Sequence, residues 1–327
     1  MIYPVIFFLA FWAGFAVRRG SICLVRATNE LIERKPPKTI LFVMEAMTVA
    51  LSITIPAMIL FPEHISLAKS YDLSVYLFFG ASLYGFGAAV NGACALGTLN
   101  QLMNGKIEYA ATILGLTAGF IIFLNSDLIY TIQDLKNTNN ADLNIFLFVP
   151  LMLLVWGVSI FQIMRFVKQS KEKKLKKLKQ YLTSPVARDF IGVSIFGLCS
   201  GTIYLLLGRS WDYTKFIMDV EEHLYAGFLP DATIFPIMTT TIALISGMTL
   251  ATILSKSFEL QSSSLKAFVT KLFAGMLMGI AVGFIPGGND TIILHGIPGI
   301  ASHAPIALMV MMVTISLAIY IKKYTST

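Results

Sequence analysis

Residues 73–103 read LSVYLFFGASLYGFGAAVNGACALGTLNQLM, a run of thirty-one positions without a formal charge. As one α-helix the run would reach about 46 Å, whereas the hydrocarbon core of a bilayer is about 30 Å thick. Gly80, Gly85, Gly87, Gly92 and Gly97 interrupt it. It therefore reads as a helix, a break at Asn91-Gly92 within the membrane, and a short half-helix opened by Cys94. Irregular backbone at that depth is tolerated only where protein buries it or where it lines a polar cavity.

A second stretch has the same character. Residues 272–321 carry one formal charge, Asp290, and are interrupted by Pro286-Gly287-Gly288 and by Pro298. GFGAAVNGAC, from Gly85 to Cys94, aligns without gaps on GIAVGFIPGG, from Gly279 to Gly288. Gly85 falls on Gly279, and Cys94 falls on Gly288. Paired Gly/Pro-interrupted segments in two halves of a chain point to a transporter binding site.

The rest of the chain agrees. Hydrophobic types make up 56% of the 327 residues and charged types 13%, with a mean hydropathy of +0.74. A soluble domain is nearer a quarter charged, so a soluble globular enzyme is excluded. Uniformly apolar runs also exclude outer-membrane strands, which alternate. The fold class is all-α and polytopic. Apolar segments at 2–17, 39–61, 73–103, 109–124, 144–167, 190–208, 233–254, 267–286 and 304–321 suggest nine crossings. The first lacks a basic leader and a small-residue cleavage site, and reads as a retained helix.

The whole net charge of +7 sits in 165–189, RFVKQSKEKKLKKLKQYLTSPVARD. It divides the chain into a first transmembrane half (1–167), a basic connector (168–189) and a second half (190–327). A cytoplasmic connector is the simplest reading; a tail for nucleic acid or phosphoinositide is the alternative. With the connector inside, inward loops hold 21 Lys/Arg and outward loops 4. This places the N-terminus outside and the C-terminus in the cytoplasm. The stretch 209–232 is then an outward loop.

Three places carry candidate chemistry. In RRGSICLVRAT (Arg18 to Thr28) the chain either breaks near Gly20 and brings Cys23 to the pore, or forms a plain cytoplasmic loop. In VNGACALG, Asn91 and Gly92 break the helix. The N–H groups that start the next half-helix favour an anion, and the Cys94 thiol adds a soft contact. A small packing residue is the alternative for Cys94. In IPGGNDTIILHGIP, Gly287, Gly288 and Asn289 form the break. Asp290 would repel an anion, so it is expected to cap or pair. His295 and His303 read as satisfied polar packing, with proton carriage the alternative. Cys199 reads as core. Glu45 is an intramembrane acid, and so a functional candidate, whose partner the sequence does not identify. No nucleotide, metal, redox or hydrolase motif is present, so no metal or cofactor is expected.

Taken together, RRGSICLVRATNELIERK, GFGAAVNGACALGTLNQLMNGKIEYAATILG and FAGMLMGIAVGFIPGGNDTIILHGIPGIASHAPIALMVMM resemble the YeeE/YedE family of membrane proteins. The resemblance implies an inner-membrane transporter for thiosulfate or a related sulfur oxyanion. It also implies an inverted internal repeat, with short re-entrant helices dipping in from both faces. In the family's thiosulfate transporters, cysteines on three dipping motifs line the constriction and pass the substrate along. Cys23 and Cys94 match the first two; the third falls on Gly288, which has no thiol. This leaves room for a different sulfur or selenium substrate. A small cytoplasmic sulfur-carrier protein is an implied partner. Two other functions compete: a membrane-embedded sulfurtransferase that forms a persulfide on a cysteine, and a scaffold that docks sulfur-trafficking proteins.

Overall fold

The computed structural model describes residues 2–20, 22–61, 68, 70–126, 149–150, 153, 156–157, 185–227, 234–285 and 287–325. Among them there is no strand beyond an isolated bridge between Lys106 and Gln261. The first set of helices is α1 (Ile2–Gly20), α2 (Leu24–Ile32), α3 (Lys38–Leu60), α4 (Val75–Asn91), α5 (Ala95–Met103) and α6 (Tyr109–Leu124). The second is α7 (Pro185–Leu207), α8 (Tyr213–Tyr225), α9 (Phe235–Ser255) and α10 (Leu265–Phe284). A helical turn, Asn289–Thr291, then runs into a π-helical turn, Ile292–Gly296, before α11 (His303–Thr325).

Local chemistry sets the boundaries. Ser74, Asp212 and Ser264 cap α4, α8 and α10 by accepting from the backbone N–H groups of Leu77, Lys215 and Ala267. Gly92 ends α4 at φ +74°, a left-handed conformation that glycine adopts without a Cβ penalty. The second set begins at Pro185, earlier than the hydropathy edge at 190, because proline is favoured in a first helical turn.

Among the described residues six helical stretches are long and apolar enough to cross a membrane, one of them being α4 and α5 taken together. Ile2–Arg18 and Tyr109–Leu124 are apolar but shorter. The expected crossing at 144–167 lies almost wholly outside the described residues, as does most of the connector. Outward faces are apolar in helical register. On α11, Met309, Val313, Leu317 and Ile321 recur every four residues and are each more than half exposed. An exposed stripe of that kind suits lipid rather than water. The protein is thus a multi-pass helical membrane protein.

Inside, glycines let backbones touch. Gly14 of α1 lies against the Leu244 carbonyl of α9, and Gly247 of α9 against the Phe11 carbonyl of α1. Gly115 and Gly119 of α6 face the Leu272 and Met276 carbonyls of α10. Gly275 and Gly279 face those of Thr112 and Leu116 in return. Lipid supplies no hydrophobic drive for helices to associate, so such close approach provides much of the cohesion.

The order long–short–long–long–short–long occurs twice, and the packing follows it. α1 packs on α9 as α7 packs on α3, and α6 on α10 as α11 on α4. The equivalent pairs α1–α7 and α4–α10 also touch. Exchanging the two sets therefore leaves the main contacts unchanged. The short elements are α2, α5, α8 and the 289–296 segment.

Candidate functional site

Each short element follows a break, and each is preceded by a capping residue in extended conformation: Cys23, Cys94, Asp212 and Gly288. Cys94 and Gly288, matched by the gapless alignment, occupy the same place in their respective breaks. The four breaks are connected by direct contacts.

The two thiols cross over. Cys94 Sγ accepts from the backbone N–H of Leu24, the first residue of α2, at 3.4 Å. Cys23 Sγ lies against Gly97 in the first turn of α5. Each sulfur thus sits at the other half-helix's start, and both residues are buried. RRGSICLVRAT is not a plain loop. Helix α1 ends at Gly20, and the chain resumes as α2 after Cys23.

Asn289 joins this pair to the other breaks. Its Oδ1 accepts from the Tyr84 hydroxyl at 2.7 Å and from the Ala95 N–H at 3.2 Å. Its Nδ2 is buried with no hydrogen-bond partner among the described residues. Tyr213 reaches the same turn, donating to the Ala95 carbonyl at 2.9 Å.

The Asn91 side chain is fully engaged. Its Nδ2 donates to the Ala93 carbonyl at 2.8 Å and to Thr98 Oγ1 at 2.9 Å; its Oδ1 accepts from Thr112 Oγ1 at 2.7 Å. Asn91 therefore fixes the shape of the break. Lys271 donates to the Asn91 carbonyl and lies 4.2 Å over the Tyr109 ring. Gly92 stands beside both. Arg18, at the end of α1, donates to Thr252 Oγ1, Asn100 Oδ1, Asn104 Oδ1 and Ser257 Oγ at 2.5–3.0 Å. No described carboxylate forms an ion pair with Arg18 or Lys271.

On the other side the breaks carry carboxylates. Thr291 Oγ1 donates to Asp212 Oδ1 at 2.9 Å, and Thr214 Oγ1 lies 2.8 Å from Asp290 Oδ2. Asp-Tyr-Thr at 212–214 and Asn-Asp-Thr at 289–291 thus grip each other, and both aspartates are fully buried. Gly288 sits at φ −83°, and the left-handed position belongs to Gly287 at φ +122°. A Cβ on Gly288 would run into the Asp290 carboxylate and Thr214.

Other candidates fall elsewhere. His303 accepts from the Tyr71 N–H at 3.3 Å, and its ring packs edge-on to Tyr71. Glu45 accepts from Ser194 Oγ at 3.1 Å, linking α3 to α7. Cys199 is buried within unbroken α7.

Hydropathy missed α8 and with it Asp212, Tyr213 and Thr214. A signal was present, because GRSWDY at 208–213 follows a long helix as GSICL at 20–24 follows the first.

Such an architecture, with broken helices meeting at a buried polar centre, defines a class of membrane transport proteins. The family model described as sulphur transport, that of the YeeE/YedE proteins, matches residues 19–317. The chain belongs to this family and is a sulfur-compound transporter by that membership. No curated protein matches it.

Proposed function

We propose that the protein carries a small sulfur-containing anion, thiosulfate foremost, across the cytoplasmic membrane through the meeting point of Cys23 and Cys94. The observation that carries this is the exchange of two thiols between the starts of α2 and α5. First-turn N–H groups and the unpartnered Asn289 Nδ2 suit the oxygens of such an anion, and the thiols suit its terminal sulfur. Arg18 and Lys271 form no ion pair with a described carboxylate, although Glu108 acts on Lys271 at longer range, and they support an attractive approach for anions from their side. Asn91, Gly92, Gly287 and Gly288 act by shaping the breaks rather than by binding.

In this proposal the two sets of helices form an inverted repeat with re-entrant short elements. The N-terminus is outside and the connector lies in the cytoplasm, where a sulfur-carrier protein would receive the cargo. The protein acts as a transporter and performs no covalent step.

The test is uptake by liposomes containing the purified protein alone, with labelled thiosulfate, sulfite and sulfate. Thiosulfate should enter fastest and sulfate poorly, because sulfate offers only oxygens. Equal rates for thiosulfate and sulfate would remove sulfur character as the basis of selection.

A further inference from the structure

The side of the centre opposite the thiols presents a conflict for any anion. Asp212 is 1% exposed and Asp290 is 0% exposed. No described Lys or Arg forms an ion pair with either. Lys215 acts on Asp212 only at longer range, because its Nζ lies 2.6 Å from Asp219 Oδ1, where Arg209 Nη2 also pairs, 2.5 Å from Asp219 Oδ2. Two ionised carboxylates buried without a counter-ion cost several kcal/mol, and a passing anion would add to the repulsion.

The geometry at His295 shows what is missing. Its Nε2 accepts from the Trp211 backbone N–H at 3.3 Å, so the neutral ring carries its own proton on Nδ1. Asp212 Oδ2 stands 3.4 Å from that same Nε2 and, despite being buried, has no hydrogen-bond partner among the described residues. Two acceptors therefore face each other across a gap that a proton on the carboxyl group would fill. His295 lies in the π-helical turn, where the Ile297 N–H reaches back five residues to the Ile292 carbonyl. Turns of this type often mark functional positions.

Asp290 joins the pair through the threonine exchange: Thr214 holds Asp290 and Thr291 holds Asp212. The remaining titratable groups that face the cluster are few. They are Tyr84 from α4, Cys94 from the break before α5, Tyr204 from α7, and Tyr213 and Lys215 from α8. Glu221 lies further along α8, toward Thr117 of α6. α9 contributes the neutral Thr240, which donates to the Trp211 carbonyl at 3.2 Å. α11 brings His303, held at Tyr71.

We propose that Asp212, Asp290 and His295 form a proton-binding site beside the substrate path, so that each sulfur-containing anion enters together with at least one proton. This rests on the transport function proposed above. The proton bound on one side is released on the other in the same turnover, so the group is regenerated and part of the anion's charge is neutralised during passage.

Wild-type protein in liposomes decides it, with labelled thiosulfate outside, a pH-reporting dye trapped inside, and the membrane potential clamped. An acid-outside gradient of about one unit should raise initial uptake, by up to about tenfold if one proton accompanies each anion. The interior should acidify in step with uptake. Asp212→Asn keeps the Oδ1 contacts to Lys215 and Thr291 and turns an N–H toward His295 Nε2, but cannot cycle a proton. It should lose both the gradient response and the acidification, with its rate at or below the gradient-free wild-type rate. Thiosulfate uptake by the wild type that ignores the gradient and leaves the interior pH unchanged overturns the proton site and leaves the transporter standing. Failure of thiosulfate, sulfite and selenite alike to enter under any gradient overturns the transport function itself. Failure of Asp212→Asn to insert leaves the wild-type result to decide.

Discussion

At the scale of single residues, the two halves of the centre have opposite chemistry: thiols with nearby cations on one side, carboxylates gripped by threonines on the other. Cys94 is the most exacting position, because its sulfur meets α2 and its own backbone opens α5. Cys94→Ala keeps every backbone donor and removes the soft contact. Loss of about 1.4 kcal/mol of barrier lowering would reduce initial thiosulfate uptake about tenfold. Cys199→Ala, in an unbroken helix, should stay near the wild-type rate at equal membrane abundance. A matching loss in both would show that the thiols serve packing. Gly288 aligns with Cys94, but its neighbours resist a side chain. Its backbone is relaxed, and the obstacle is the Asp290 carboxylate with Thr214. Gly288→Cys should therefore fail to restore uptake to a Cys23→Ala protein, and should lower its yield. Recovery of uptake would show that Asp290 can swing aside.

Elements explain which parts were legible in the sequence. Breaks at Asn91-Gly92 and Gly287-Gly288 were readable because each interrupts a run longer than a bilayer is thick that carries no formal charge in the first case and only Asp290 in the second. Their common register followed from aligned glycines, and the structure places Cys94 and Gly288 as equivalent caps. Helix α8 was not readable from hydropathy, because Arg209, Lys215, Asp219, Glu221 and Glu222 give its segment the hydropathy of a loop. Only the fold shows that Asp219 takes up both basic residues, leaving Asp212, Tyr213 and Thr214 to face the centre. The glycine-lined crossings were also hidden, since glycine in a sequence does not announce its partner. They carry a clear expectation. Gly279→Leu would drive a side chain into the Leu116 carbonyl and the Phe120 N–H of α6. Overpacking of this kind costs about 1–3 kcal/mol or more. The thermal midpoint of the purified protein in detergent should fall by several degrees. Gly157, with nothing within 4 Å of an added Cβ, is the control, and Gly157→Ala should leave the midpoint unchanged. Equal midpoints for the two variants would deny that the α6–α10 contact stabilises the fold.

For the whole molecule, the doubled order of helices and the distribution of charge must agree on orientation. The proposed orientation gives the inward loops 21 of the Lys/Arg residues and the outward loops 4, and sets the connector in the cytoplasm. Finding α8 inside an expected outward loop does not disturb the count, because its cations pair with Asp219. The same orientation puts the exposed end of α8, at Ala226, on the outer side and Ser170 of the connector on the inner side. The three native cysteines are free and buried, so an introduced cysteine should dominate labelling by a bulky reagent. In intact cells a membrane-impermeant maleimide should react readily with Ala226→Cys. Ser170→Cys should react only after the membrane is opened. Neither substitution falls in the sequence of a break, so uptake measured on the same cells reports that the protein is intact. Labelling in the opposite pattern would invert the molecule and place the Arg18 and Lys271 side toward the exterior. Labelling of both sites in intact cells would mean that the connector and α8 share one face, which no odd number of crossings between them allows; the repeat could then not be inverted.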